Sequence, residues 1–106
     1  MITEAQLYDL LCRTGLQVVY RAWQEGSAPA LPWMVYYDGA SRNFSADGKV
    51  YVRRQKYIVE LYTEEKDPDT ERLVEAAFDG AGIFWNRDET YVESERMYKI
   101  SYEIEG

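Results

Sequence analysis

The sequence contains no histidine, and this absence limits the chemistry that the chain can support. A metal site would need carboxylates alone, and a nucleophile would lack its commonest general base. The best calcium-loop candidate, EEKDPDTE at Glu64 to Glu71, lacks the central glycine and the ligand spacing of such loops and has a proline in its middle. We therefore expect no enzyme activity, no metal site and no cofactor, and we interpret Asp67 as a helix cap.

Cysteine is almost absent, because Cys12 stands alone and has no partner for an intrachain disulfide. The first residues show no basic stretch followed by an apolar signal segment, so a reducing cytoplasm is the expected compartment. With no histidine to activate it, Cys12 is predicted to be a small core residue. Long apolar runs are also missing: LPWMVYY, Leu31 to Tyr37, is far shorter than the roughly 20 residues of a membrane helix, so no membrane partner is expected.

Cations are scarce, with 12 Lys and Arg against 19 Asp and Glu and a net charge of −7. This balance disfavours unspecific binding to phosphate backbones or anionic lipid, and no sequence-specific nucleic acid is expected as a partner. Apolar material is plentiful, because 46% of the residues are hydrophobic and 15% are aromatic. A chain of 106 residues with this composition is expected to fold as one domain, residues 1–106.

Extended segments dominate the predicted secondary structure, and a short helix precedes them. Thr3 with Gln6 forms the pattern of a capping box, and an apolar stripe follows it, so the first helix is predicted from Glu4 to Thr14. Runs of β-branched and aromatic residues between turn signals predict the strands. The predicted strands are Leu16–Trp23, Trp33–Asp38, Lys49–Thr63, Ile83–Val92 and Arg96–Ile104.

The segment DPDTERLVEAAFDGAG carries the clearest helix signal in the chain. Asp67 stands at the cap position, Pro68 opens the first turn, and acids cluster near the positive end of the helix dipole. Gly80 and Gly82 provide the helix end. The predicted buried face consists of Leu73, Val74, Ala77 and Phe78.

In the last predicted strand, residues alternate between apolar and polar with the period of two that a half-buried strand shows. Tyr98, Ile100, Tyr102 and Ile104 share one face, whereas Glu103 lies on the other and is interpreted as a solvent-facing spacer, like Glu105. The order of elements and their short connections favour antiparallel pairing. The predicted fold is α+β, with a mainly antiparallel sheet of about five strands and two helices packed on one face.

Four segments carry a resemblance to a known family: LPWMVYYDG, NFSADGKVY, VELYTEEKDPDTER and ETYVESERMYKISYE. Their succession, from about Leu31 to Glu103, resembles the short head-tail connector and tail-completion (tail-terminator) proteins of long-tailed phages and prophages of Gram-positive bacteria. The resemblance implies a compact α+β subunit that self-associates into a ring, hexameric in the virion. It also implies a tail-tube protein and a head-connector protein as partners, and a location in the host cytoplasm during assembly and then in the virion tail.

A basic cluster within this acidic chain suggests how subunits would meet. Arg53, Arg54 and Lys56 lie close together in a segment too polar to continue a core. We expect them to contact acids of a neighbouring subunit, although a solvated stretch without contacts is an alternative. The candidate acids are Glu64, Glu65, Glu93 and Glu95. A second function class is an acidic inhibitor or immunity-type protein that binds a nucleic-acid enzyme by charge mimicry, which would need acids clustered on one face.

Overall fold

The computed structural model describes residues 2–39, 42–46, 49–54 and 56–105, and it describes side chains for 2–39 and 56–105. This part of the chain forms two helices, α1 (Glu4–Cys12) and α2 (Pro68–Gly80), and seven strands. The strands are β1 (Gln17–Tyr20), β2 (Trp33–Asp38), β3 (Arg42–Ala46), β4 (Lys49–Arg54), β5 (Lys56–Thr63), β6 (Phe84–Val92) and β7 (Met97–Glu105). The predicted α+β class is confirmed.

Five of the strands form the main sheet, in the order β1-β2-β5-β7-β6. The β1–β2 pair is parallel, and the pairs β2–β5, β5–β7 and β7–β6 are antiparallel. The central register places Val59 opposite Tyr36 on one side and Tyr102 on the other. The sheet is therefore mainly antiparallel, as predicted, with one parallel pair at the β1 edge.

The other two strands, β3 and β4, pair antiparallel with each other and form a separate two-stranded sheet. The structure thus divides the predicted strand Lys49–Thr63 into β4 and β5. Only β5 is the neighbour of β2 in the main sheet. In the chain, the β3–β4 pair thus comes between β2 and β5, which are adjacent strands of the main sheet. We call this pair the hairpin.

Helix α1 begins as predicted, because Gln6 N donates to Thr3 Oγ1 at 3.2 Å and Thr3 N donates to Gln6 Oε1 at 2.9 Å. The helix ends at Cys12, before Gly15, which adopts the left-handed conformation with φ of 85°. Leu11 is fully buried, but Cys12 is exposed, so the prediction of a core cysteine is wrong. Neighbouring positions on a helix point about 100° apart, and burial of Leu11 turns Cys12 outward.

Helix α2 begins at Pro68 behind Asp67, whose Oδ1 accepts from Thr70 N at 3.2 Å, which confirms the predicted cap. Val74 and Phe78 are fully buried, as predicted. Leu73 is 46% exposed, so its assignment to the buried face is wrong. The place nearest the sheet in the first turns belongs instead to Glu71, which is 3% exposed and lies three residues before Val74 on the same helix face.

Both helices cover the same face of the main sheet. Tyr8 of α1 packs against Tyr36 with ring centroids 6.0 Å apart, and Phe78 of α2 packs against Tyr102 at 5.5 Å. Ile100, Tyr102 and Ile104 are fully buried beneath them, which confirms the alternation predicted for the last strand. We call the opposite side of the sheet, which neither helix covers, the open face.

Candidate functional site

The two ends of the main sheet differ in what they carry. At one end β2 stops at Asp38 and β5 starts at Lys56, and the β3–β4 hairpin is inserted there; we call this the hairpin end. At the other end β5 stops at Thr63, directly opposite Tyr98 near the start of β7. We call this second end the acidic end, because four of the predicted interface residues lie there.

The acidic end consists of two exposed turns. Glu64 and Glu65 follow β5, and Glu93 and Glu95 lie in the turn that joins β6 to β7. The register of Thr63 with Tyr98 and of Tyr98 with Tyr91 places both turns at the same end of the sheet. Within the described part of the chain, the four carboxylates make no hydrogen bond or ion pair. The structure thus brings together the acids of the predicted interface.

A cleft of about 480 Å³ opens beside the first of these turns. Leu31 and Pro32 form its apolar wall, and Thr63 and Glu64 to Asp67 form the rest. Thr63 is 2% exposed, and its Oγ1 has no hydrogen-bond partner among the described residues. A buried hydroxyl without a partner costs free energy.

Two of the charged groups around the cleft are already engaged. Lys66 Nζ donates to Glu71 Oε2 at 2.8 Å and also pairs with Glu89. Asp67 accepts from Thr70 N and Thr70 Oγ1, and these hydrogen bonds lower the pKa of its carboxyl. The carboxylates of the cleft that remain without a partner in the described structure are those of Glu64 and Glu65.

The hairpin end is basic in sequence. Residues 40–55 contain four cations and one acid, which gives this segment a charge of +3 in a chain of −7. The backbone register places Arg42 opposite Arg54 and Asn43 opposite Arg53. The side chains of Arg53 and Arg54, which the sequence assigned to the interface, lie outside the described part of the structure.

Lys56 differs from the two arginines in its surroundings. It is 7% exposed and forms an ion pair with Glu103 of β7 on the open face of the sheet. Glu103 is therefore the partner of a buried cation rather than a spacer alone. The sequence grouped Lys56 with Arg53 and Arg54, and the structure places it inside the main sheet, at the base of the hairpin.

Sequence reasoning missed an ion network between α2 and β6. Glu71 Oε1 accepts from Arg87 Nη2 at 2.6 Å, and Lys66 donates to its other oxygen. Arg87 Nη1 donates to Glu75 Oε2 at 2.8 Å, which also accepts from Tyr102 OH at 2.8 Å. Burial alone raises the pKa of Glu71, but the bonds from Lys66 and Arg87 outweigh it and hold the pKa below its ordinary value.

The charged groups of this network are engaged with one another. Burial, together with the hydrogen bond to Glu75, raises the pKa of Tyr102, so its hydroxyl stays protonated. The available sequence signal was the spacing of Glu71, Val74, Glu75 and Phe78, which share one side of the helix. That signal does not identify Arg87, which lies on β6, as the partner.

The open face carries aromatic side chains that pack on one another. Trp33 packs on Tyr62 with ring centroids 4.6 Å apart, and Trp23 meets Trp33 edge to face at 6.0 Å. The hydroxyls of Tyr37 and Tyr62 donate to the two oxygens of Glu60 at 3.0 and 2.9 Å. The rings therefore pack on one another and the two hydroxyls are bound to Glu60. Trp33, Tyr37 and Tyr62 remain half-buried.

Among the described residues, no group of three or more Cys, Asp and Glu side chains is placed to hold a metal ion. None of the described helices has the length and apolarity that crossing a membrane requires. In comparisons with known proteins, no protein-family model matches the chain and no curated protein matches it significantly.

Proposed function

We propose that this chain is a structural protein of a phage or prophage that forms a ring at the head-proximal end of the tail. The ring completes the tail tube and joins it to the head connector, with a tail-tube protein and a head-connector protein as axial partners. The protein acts in the cytoplasm of the bacterial host during assembly and then in the virion tail. The sequence resemblance supplies the phage setting of this proposal.

The observation that carries the proposal is the polarity of the main sheet. Uncompensated acids lie in the turns at one end, and a hairpin with a charge of +3 leaves the other end. A subunit with unlike surfaces at its two ends associates head to tail, and such contacts generate a closed ring when the rotation between subunits closes. A ring subunit needs no catalytic group. The carboxylates of Glu71 and Glu75 on α2 and of Glu89 on β6 form ion pairs with Lys66 or Arg87, which is compatible with that role.

The charge distribution favours the ring over charge mimicry. An inhibitor that imitates nucleic acid needs a continuous acidic face. Here Glu71, Glu75 and Glu89 pair with Lys66 or Arg87. The described acids that form no hydrogen bond or ion pair are spread over α1, the loops, β6 and the turns of the acidic end rather than gathered on one face. The net charge of −7 alone therefore gives weak support to the mimicry alternative.

Electron microscopy of the purified protein and of virions tests the proposal. We expect rings of uniform diameter, and we expect tails assembled without the protein to lack their head-proximal closure and to remain unjoined to heads. Complementation of a phage that lacks the gene should restore infectivity. Normal joined virions in the absence of the protein would contradict the proposed function.

A further inference from the structure

We propose that the outer edge of β6 is the interface of a two-fold dimer, in which β6 pairs antiparallel with β6 of a second copy of this chain. The inference goes beyond the proposed function, because the contact uses one side of the main sheet rather than either of its ends. Pairing of the two edges would join two five-stranded sheets into one continuous sheet.

The strand β6 (Phe84–Val92) is a long edge strand with an open outer side. Its nine residues pair with β7 in continuous register, and no other strand of the described sheet lies beside it. It contains no proline and no bulge, which are two devices that keep edge strands from pairing. Such an edge presents backbone N–H and C=O groups to another strand. The opposite edge, β1, has only four residues.

Two-fold symmetry limits the registers that two copies of β6 can adopt. Side chains alternate between the faces of a strand, and directly opposite residues share a face, so the axis must pass beside one residue that faces its own copy. With Asp88 in that place, at the centre of the strand, all nine residues are paired. The opposite residues are then Phe84 and Val92, Trp85 and Tyr91, Asn86 and Thr90, and Arg87 and Glu89.

Charge complementarity favours this register over its neighbours. Arg87 of each strand faces the partner's Glu89, so unlike charges are opposed twice. An axis at Arg87 would set Arg87 against its own copy and Trp85 against the partner's Glu89. An axis at Glu89 would set Glu89 against its own copy and Arg87 against the partner's Tyr91. The Asp88 register contains one like-charge pair, that of Asp88 with its own copy.

The two ends of the strand also match each other. Phe84 is 89% exposed and Tyr91 is 46% exposed in the single subunit. Phe84 faces the partner's Val92, and Tyr91 faces the partner's Trp85, so pairing removes apolar surface from water on both sides of the axis. Tyr91 already packs on Tyr98 with ring centroids 4.9 Å apart, and the partner's Trp85 would extend this aromatic row.

The helices leave room for the second copy. Phe78 of α2 packs on Tyr102 of β7, one strand inside the edge. In the joined sheet the two copies of β7 lie three strand spacings apart, roughly 14 Å. This separation exceeds the roughly 8–10 Å between the axes of packed helices, so the two copies of α2 do not collide.

The contact is small, and the dimer is therefore weak. A standard interface has about 20–30 residues on each side, whereas one strand supplies nine. We expect a Kd on the order of 1 mM. In dilute protein the dimer is dissociated and leaves association through the two ends of the sheet unaffected.

Cysteine cross-linking tests the pairing, in a background where Cys12→Ser removes the exposed native thiol. Asp88→Cys places a thiol opposite its own copy, where the Cα atoms lie about 4.5–5.5 Å apart, within the range that a disulfide spans. With oxidised glutathione as the oxidant, we expect this variant to form a disulfide-linked dimer several-fold faster than Glu25→Cys. Glu25 is an exposed control position away from β6.

Two further single-cysteine variants test the register. Asn86→Cys and Thr90→Cys each lie four residues from their own copy across the axis, roughly 13 Å along the strand, so each alone should cross-link slowly. A mixture of the two should form a disulfide between the different variants, because Asn86 faces the partner's Thr90.

Nuclear magnetic resonance measures the strength of the contact. Raising the concentration of isotope-labelled protein into the millimolar range should shift amides concentrated at Phe84 to Val92. Asp88→Asn removes the like-charge pair at the axis and should lower the Kd about two- to fivefold. Glu25→Gln removes one acid elsewhere and should leave the Kd unchanged. Circular dichroism of each variant checks that the fold is retained.

The outcomes separate this inference from the proposed function. Cross-linking of Asp88→Cys no faster than that of Glu25→Cys would overturn the pairing, and so would faster cross-linking of Asn86→Cys and Thr90→Cys alone than together. Equal effects of Asp88→Asn and Glu25→Gln would also overturn it, because net charge alone would explain them. The ring function stands in each of these cases. If the cross-links form as expected but virions join normally without the protein, the pairing holds and the proposed function fails.

Discussion

At the scale of single residues, the feature with the largest consequence is the buried carboxylate of Glu71. A charge at 3% exposure is tolerated only when it is paired and hydrogen-bonded. Lys66 and Arg87 fill that role, and both cations keep part of their surface in water. Glu71 therefore links the start of α2 to the edge of the sheet.

Replacing Glu71 with glutamine should destabilise the fold by about 1.5–3 kcal/mol, the range for hydrogen bonds that involve charged groups. The glutamine keeps the size of the side chain but removes its charge, so Lys66 and Arg87 lose one of the two carboxylates that they share and keep only Glu89. Urea denaturation followed by circular dichroism measures the effect. Asp69→Asn is the control, because Asp69 forms an exposed ion pair with Arg72 and should change stability by less than about 0.5 kcal/mol.

The same carboxyl gives stability a pH dependence with a defined sign. The pKa of Glu71 is lower in the folded protein than its ordinary value of 4.5, so its pairing stabilises the fold above that value. This contribution should disappear as the pH falls below about 4.5 and through the folded pKa. Melting temperatures measured across this range should fall less steeply for Glu71→Gln than for the unchanged protein. Parallel curves would show that Glu71 is not paired in solution.

At the scale of elements, α2 shows which helix face holds the layers together. Phe78 is fully buried against Tyr102, whereas Leu73 on the same helix is 46% exposed. Phe78→Ala should cost about 3–5 kcal/mol, because it leaves a large cavity in the core. Leu73→Ala should cost less than about 1 kcal/mol, since little apolar surface is returned to water. Thermal unfolding of the two variants side by side measures both losses of stability. Equal losses would contradict the orientation of the helix.

The hairpin is the second element with a separable role. It pairs only within itself in the described sheet topology, and the main sheet closes behind it, where Gly39 N donates to Lys56 O at 2.8 Å. Replacing residues 40–55 with an Asn-Gly turn should therefore keep the five-stranded sheet and its far-ultraviolet circular dichroism. The shortened protein should lose self-association in sedimentation experiments. Unfolding of this variant would show that the hairpin stabilises the main sheet.

The sequence predicts elements well where their signals are local. The capping box at Thr3, the Asp67-Pro68 start of α2 and the alternation in β7 are complete within a few residues, and the structure confirms them. Burial of Ile100 and Ile104 follows from the same period of two. The α+β class and the helices on one face of the sheet follow from the order of these elements.

The errors occur where the outcome depends on distant parts of the chain. Lys49 to Thr63 was predicted as one strand with a polar middle, and the pairing of β5 with β2 and β7 separates β5 from β4. Leu73 was assigned to the core because it is apolar, yet Glu71 is the more buried residue because Arg87, on another element, compensates its charge. Propensity and periodicity contain no information about such tertiary partners.

At the scale of the whole molecule, the described structure places the two halves of the predicted interface apart. Glu64, Glu65, Glu93 and Glu95 lie at one end of the sheet, and the hairpin with a charge of +3 lies at the other. This separation prevents the charges from neutralising one another within one subunit. It leaves each end available to a neighbour, which is the arrangement that a head-to-tail ring requires.

The salt dependence of self-association tests this account most directly. Ion pairs between exposed surfaces are screened as salt rises, because the Debye length falls from about 10 Å at 0.1 M to about 3 Å at 1 M. Sedimentation velocity of the unchanged protein should show one closed oligomer of uniform size at low salt and a progressive return to monomer at high salt. A protein that remains monomeric at all salt concentrations, or whose oligomers strengthen with salt, would contradict assembly through its oppositely charged ends.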